Sequence, residues 1–227
     1  MENLKNKFNQ AFIPGISENL SNDEQLVIID NVRYKYFNDL IDVYIPLDTC
    51  PNILTCKRVP LPLWGVNPRS ILVKIDENWW NRIRLKVYES QGFHCACCGI
   101  HQKDQIGWVK NQLDAHELYD INYQTGEMRL KAIVPLCKAC HAGIHFGRLT
   151  AKYESGEIQP KTYYQTISYC NTVLAKAGLP LKNWDATVQD NIYSVPWNQW
   201  HLTLVIEGKE QKFYSLYKDQ KDLEAHY

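Results

Sequence analysis

Two pairs of cysteines, Cys95-x2-Cys98 and Cys137-x2-Cys140, constrain this chain more than any other feature. Two residues between cysteines let a tight turn bring both thiolates onto one ion. Two such knuckles supply the tetrahedral sulfur set that Zn²⁺ prefers. The fold must therefore return to one point across the 38 residues between the pairs. Cys97 lies inside the first knuckle at poorer spacing, and Cys50, Cys56 and Cys170 have no partner at useful spacing, so they read as small core residues. The start, MENLKNKFNQAFIPG, has no apolar h-region and no small-residue cleavage site, and no run of about 18 apolar residues exists. A cytoplasmic chain with no membrane partner is the expectation. Its eight cysteines then read as metal ligands and buried thiols, because thiols stay reduced there.

The segment between the pairs carries the other chemistry. Leu113-Asp114-Ala115-His116-Glu117-Leu118 is followed by a turn at Gln124-Thr125-Gly126 and an apolar stretch from Met128 to Leu136. The second knuckle runs straight into His141 and His145. Their i, i+4 spacing on a helix puts both imidazoles on one face, where they can grip one cation. The predicted order is strand with His116, turn, strand, then a helix with two histidines.

The flanks predict support for this centre. Residues 26–47, LVIIDNVRYKYFNDLIDVYIPL, are rich in Val, Ile and Tyr and break at Phe37-Asn38-Asp39, which predicts a β-hairpin. Pro60, Pro62, Gly65 and Pro68 make 57–70 an irregular connection. Trp79, Ile83 and Val87, with Trp80 and Leu85 one step off, give a helical stripe from Trp79 to Ser90 that Gly92 ends. Residues 151–180 read as helical, above all Lys161 to Ala177 before Gly178 and Pro180. WHLTLVIE, Gly208 and KFYSLYKD read as a second hairpin. The fold class is α+β. A β-rich N-terminal extension (1–64) and a C-terminal helix plus β-hairpin extension (151–227) flank a central core (65–150).

The formal charge is zero, but it is unevenly spread. Residues 57–152 hold 14 basic and 8 acidic side chains, a net of +6, while 1–56 hold 4 and 8, and 153–227 hold 7 and 9. A local basic surface is what contact with a phosphate backbone needs, whatever the total. Four zinc thiolates would offset part of that excess, since they bring four negative charges to the ion's two positive.

The central stretch resembles the HNH endonuclease family. The matching residues are Cys95-x2-Cys98-Gly99, the step Ala115-His116-Glu117, and Val134-Pro135-Leu136-Cys137-x2-Cys140-His141-x3-His145. Asn67-Pro68-Arg69-Ser70 and Trp79-Trp80-x2-Ile83-Arg84 are similar to the segment before this motif in a bacterial and phage subgroup. The resemblance covers about residues 65–150 and leaves the flanks unmatched. It implies a ββα-metal core stapled by a four-cysteine zinc site. It also implies hydrolysis of DNA phosphodiester bonds with Mg²⁺ or another divalent transition metal as the catalytic ion.

In this family a strand histidine deprotonates water, and one divalent ion held by the helix and a strand-end residue contacts the scissile phosphate. By that resemblance His116 is the general base, and His141 and His145 are metal ligands. Many members place a metal-binding Asp or His directly before the catalytic histidine, where this chain has Ala115. Asp114, on the same strand face as His116, could supply the carboxylate. Glu117 could do so instead, or orient an imidazole. The reverse assignment, His116 on the metal and Glu117 as base, also fits. Arg69, Arg82, Arg84, Arg148 and Lys152 flank the motif and are candidate phosphate contacts as a group, with the 7 Trp and 14 Tyr as potential stacking platforms. Two other readings compete. One is a zinc-containing nucleic-acid-binding module that has lost catalysis. The other is an interaction protein whose flanks bind a partner or a second copy.

Overall fold

The computed structural model describes residues 24–29, 31–105, 112–184 and 195–226. The N-terminal segment behind the cytoplasmic expectation therefore lies outside the described residues. So do residues 106–111 of the insert and 185–194 of the C-terminal span.

The N-terminal span forms a three-stranded antiparallel meander: β1 (Glu24–Ile29), β2 (Val32–Asn38) and β3 (Asp42–Pro46). This corrects the expected hairpin, because the chain also reverses at Asn31, whose φ is +63°. Asn tolerates the left-handed region, so an apolar run that reads as one strand turns there. A short 3-10 helix at Pro51–Thr55 and another at Leu61–Leu63 lead to α1 (Pro68–Leu72). Helix α1 is opened by an Asn67–Ser70 capping box inside the expected irregular stretch.

Helix α2 (Trp79–Ser90) has the expected bounds. Trp79, Ile83 and Val87 are fully buried, whereas Leu85 is exposed. Burying one aliphatic side chain is worth about 1.5–3 kcal/mol, so this three-residue stripe is what docks the helix. The Arg82 guanidinium adds two parallel bonds to Asp39 (2.8 and 3.1 Å) and one to Asp76 (2.8 Å), tying α2 to the turn before β3.

The second sheet has the order β4-β5-β6-β7. Strands β4 (Leu113–Asn122) and β5 (Glu127–Cys137) form the expected hairpin. Asn122 Oδ1 accepts from the Gln124 and Thr125 amides, and Gly126 takes a φ of +70°. The C-terminal hairpin, β6 (His201–Ile206) and β7 (Lys209–Tyr214), turns at Glu207-Gly208, both with positive φ. That turn matches the strand twist. The hairpin also extends the central sheet, because β6 pairs parallel to β5 over Glu127–Arg129.

Helices α3 (Lys138–Ile144), α4 (Phe146–Glu154) and α5 (Pro160–Lys176) complete the described core, with α6 (Gln220–Glu224) near the C-terminus. The helical stretch expected over 151–180 is thus two helices broken between Glu154 and Pro160. At Pro160 the fixed φ and missing N–H suit a first turn. Two apolar clusters share β5. Met128 and Ile133 belong to one with Trp79, Val43 and Trp200, while Val134 and Leu136 belong to the other with Leu54, Ile144 and Leu174. Coverage on both faces explains why β5 is apolar without a break from Ala132 to Cys137. Both clusters draw on all three spans, so the flanks are part of the same core. Among the described residues no helix is long and apolar enough to cross a membrane.

Candidate metal centres

The first knuckle is shaped by backbone bonds. Cys95 N–H donates to Ile100 O (2.9 Å), Gly99 N–H donates to Cys95 O (2.8 Å), and Gly99 has a φ of +74°. Ala96 N–H donates to Pro135 O (2.8 Å) and Cys50 N–H to Ala96 O (2.7 Å), which pins the knuckle between β5 and the N-terminal span. The second knuckle is the junction of β5 and α3, where Cys137 caps the helix and its Sγ accepts from Cys140 N–H (3.5 Å).

The Sγ atoms of Cys95, Cys98, Cys137 and Cys140 all lie within 4.8 Å of one another. Sulfurs about 2.3 Å from a central ion stand about 3.8 Å apart in a regular tetrahedron. Cys98 Sγ and Cys137 Sγ are separated by 3.8 Å. Four thiols this close cannot all ionise without a cation. Hydrogen bonds with Cys137 hold Cys95 and Cys98 below the usual thiol range, while the bond with Cys137 pushes Cys140 well above it. The set fits a closed site that can hold an ion such as zinc. Cys97 stays outside it, with its Sγ 3.9 Å from Pro51 O. Cys170 is a buried packing residue, as expected, and it meets α3 so closely that a Cβ at Gly143 would lie 2.5 Å from its Sγ.

The second cluster is three imidazoles. His116 comes from β4, His141 from α3, and His145 from the residue between α3 and α4. The expected single helix under both histidines is interrupted, since His145 has φ −86° and ψ 44°. Its N–H still bonds His141 O (3.1 Å), which keeps the i, i+4 register. Ring centroids lie 5.3, 4.9 and 4.7 Å apart for the pairs 116–141, 116–145 and 141–145, and one nitrogen of each ring lies within 4.8 Å of the others.

Burial pushes His116 well below the usual histidine range, with the His145 and His141 charges adding to the effect. His145, whose ring reaches solvent, is lowered to about 4 by desolvation and then by His141, Arg148 and Lys182. Both rings are therefore neutral near pH 7, and a neutral imidazole is the form that accepts a proton or binds a metal.

Asp114 lies on the same face as His116 and contacts two residues of α3. Its Oδ2 is 2.8 Å from His141 Nδ1 and its Oδ1 is 2.5 Å from Lys138 Nζ. Those two bonds outweigh burial and bring its carboxyl to about 2. A carboxylate on Nδ1 can fix the ring and leave Nε2 for an ion; Asp114 itself is not one of the three convergent residues. Glu117 points to the opposite strand face, as neighbours on a strand do. Burial raises its carboxyl against the fields of Arg69 and His141.

The candidate phosphate contacts differ in availability. Arg82 is held by Asp39 and Asp76, and Lys152 pairs with Glu157. Among the described residues Arg69, Arg84 and Arg148 form no ion pair. Arg69 lies over the Trp80 ring (5.5 Å), and Arg84 bonds Asn81 (3.1 Å). Lys138 and Lys182 carry no sequence signal for the site, yet both sit at it. Lys182 Nζ donates to Gly143 O (3.1 Å) at the end of α3.

The fold and these two centres define an α+β protein with one enclosed sulfur cluster and one accessible imidazole cluster. No family model, no curated protein and no solved structure matches the chain.

Proposed function

We propose that this chain is a divalent-metal-dependent nuclease of the HNH type, acting on DNA. The convergence of His116, His141 and His145 beside an enclosed four-cysteine cluster carries the reading. A structural zinc site needs four ligands and already has them, so three further converging histidines call for a separate purpose. When bound at the imidazoles, a divalent ion supplies Lewis-acid stabilisation of charge building on a phosphate and its leaving oxygen.

His141 and His145 hold that position, and Asp114 keeps His141 in the productive tautomer. His116 stays neutral by burial and is placed to accept a proton from water or to complete the ligand set. Its face of β4 favours His116 over Glu117 for the proton, because Glu117 lies on the other side of the strand. Arg69 and Arg148 are the cations that support phosphate contact, and the zero net charge leads to weak, salt-sensitive binding.

The test incubates purified protein with supercoiled plasmid, linear duplex, single-stranded DNA and RNA, each with Mg²⁺, Mn²⁺, Ni²⁺ or EDTA. His116→Ala is run alongside. Divalent-dependent cutting of DNA that the variant loses is the expected result. Cutting of RNA alone would overturn the substrate class. Binding without cutting would favour the second reading, a zinc-containing nucleic-acid-binding module. The observation behind that alternative is Ala115 at the position before His116, with the nearby Asp114 carboxylate engaged by Lys138.

A further inference from the structure

The described residues offer several features outside the proposed catalytic cluster. A cleft of about 590 Å³ between β2, the Pro51–Thr55 turn and the β4–β5 hairpin presents Arg129 and Lys131. Both are already paired, with Glu127 and Glu210, and with Asp120. The buried His201 ring has its Nδ1 on Gln199 O and its Nε2 4.0 Å from Glu127, so both nitrogens face groups of the fold itself. The strongest feature is a contact onto the sulfur cluster from outside the motif.

Tyr169 stands on α5, 71 positions from Cys98, and its hydroxyl lies 3.1 Å from Cys98 Sγ in donor geometry. Cys98 is the least buried of the four clustered cysteines. It is therefore the sulfur most open to water and electrophiles. The placement of Tyr169 follows from packing. The next residue, Cys170, is fully buried against Gly143 of α3, and Leu174 joins the same apolar cluster one turn later. The close approach at Gly143 sets how far α5 stands from the second knuckle, and hence the reach of the Tyr169 hydroxyl.

We propose that Tyr169 is a positioning residue for the zinc site, donating its O–H to the Cys98 thiolate so that the C-terminal helix helps retain the ion. A hydrogen bond to a thiolate draws off negative charge. That reduces repulsion among four anionic sulfurs around one dication and makes the sulfur a poorer nucleophile. The inference rests on the zinc reading of the four cysteines and is independent of whether the chain cuts DNA. A phenol keeps its proton at neutral pH, so the Tyr169 hydroxyl is a donor there.

The experiment uses full-length zinc-loaded protein and Tyr169→Phe, which keeps the ring and removes only the donor. Zinc content by mass spectrometry comes first, then the rate of zinc transfer to a colorimetric chelator. The variant should fold, with an unchanged circular dichroism spectrum, and should lose zinc about tenfold faster or more, the usual effect of deleting an outer-shell partner. Cobalt-substituted protein supplies a second readout. Without the donor, the sulfur-to-cobalt charge-transfer band should move to lower energy, a change that packing alone would not cause. Equal transfer rates together with superimposable cobalt spectra would overturn the role of Tyr169. Wild-type protein without zinc would overturn it as well, by removing the site on which it rests.

Discussion

The two candidate centres share one short helix, α3, with Cys137 and Cys140 at its start and His141 and His145 toward its end, and differ in almost everything else. At the sulfur cluster Cys95, Cys137 and Cys140 are 0–2% exposed, every ligand comes from a knuckle held by backbone bonds, and four donors close the coordination. At the imidazole cluster the donors number three, His145 reaches solvent, and the orienting partner is a side chain, Asp114. A closed set of four suits an ion that stabilises the fold. A set of three with an open side suits an ion that must meet a substrate. The difference teaches that one helix, α3, can serve both purposes: its first turn caps the sulfur site and its last presents the histidines.

The largest expected effect separates the centres by stability. Cys137→Ser should lose zinc and unfold the central region, because metal binding and folding are coupled at such sites. Circular dichroism and zinc content check this, and a soluble, folded variant with full zinc would break the comparison. His116→Ala should do the reverse. Zinc content and melting temperature should stay near wild type while DNA cleavage falls roughly a hundredfold or more. Titration of Ni²⁺ then sharpens its role. Retained affinity marks His116 as the proton acceptor, and lost affinity marks it as a ligand.

A smaller effect is expected from Asp114→Asn, which keeps the shape and removes the charge on His141. Affinity of the imidazole site for Ni²⁺ should drop about 10–100-fold by calorimetry, with the sulfur site untouched. Smallest is a pH effect on protein whose imidazole site holds no metal. Burial lowers His116 in the folded state, so between its folded value and about 6.5 the unfolded chain binds the extra proton. The stability contributed by neutral His116 is complete above that window and declines as pH falls through it. His145, lowered to about 4, acts in the same direction. The melting temperature should be flat above pH 7 and fall toward pH 5. His116→Leu should flatten that slope, leaving the acid response of the thiolates behind.

Much of the candidate chemistry was legible because it is local. Cys-x2-Cys is a knuckle by chain geometry, and the four-residue step from His141 to His145 brings their rings together whether or not the helix runs on. The stripe Trp79, Ile83, Val87 marked α2, and Gly208 marked the last turn. Other features left no local trace. The reversal at Asn31 hides inside an apolar run. The quenching of Arg82 depends on Asp39, 43 positions away. Asp114 is placed correctly by strand alternation, yet its role depends on Lys138 and His141 meeting it across the β4–α3 contact.

Spacings of a few residues were enough to mark the two candidate ligand groups, their order along the chain, the α+β class and most element types. Tertiary structure alone decided that the flanks share one double-sided core with the centre and that β6 joins β5 in parallel. It alone also brought His116 to the helix histidines and laid Tyr169 on Cys98. Those outcomes depend on close packing between segments tens of residues apart, where the van der Waals fit of a Gly143 against a Cys170 sets the distance.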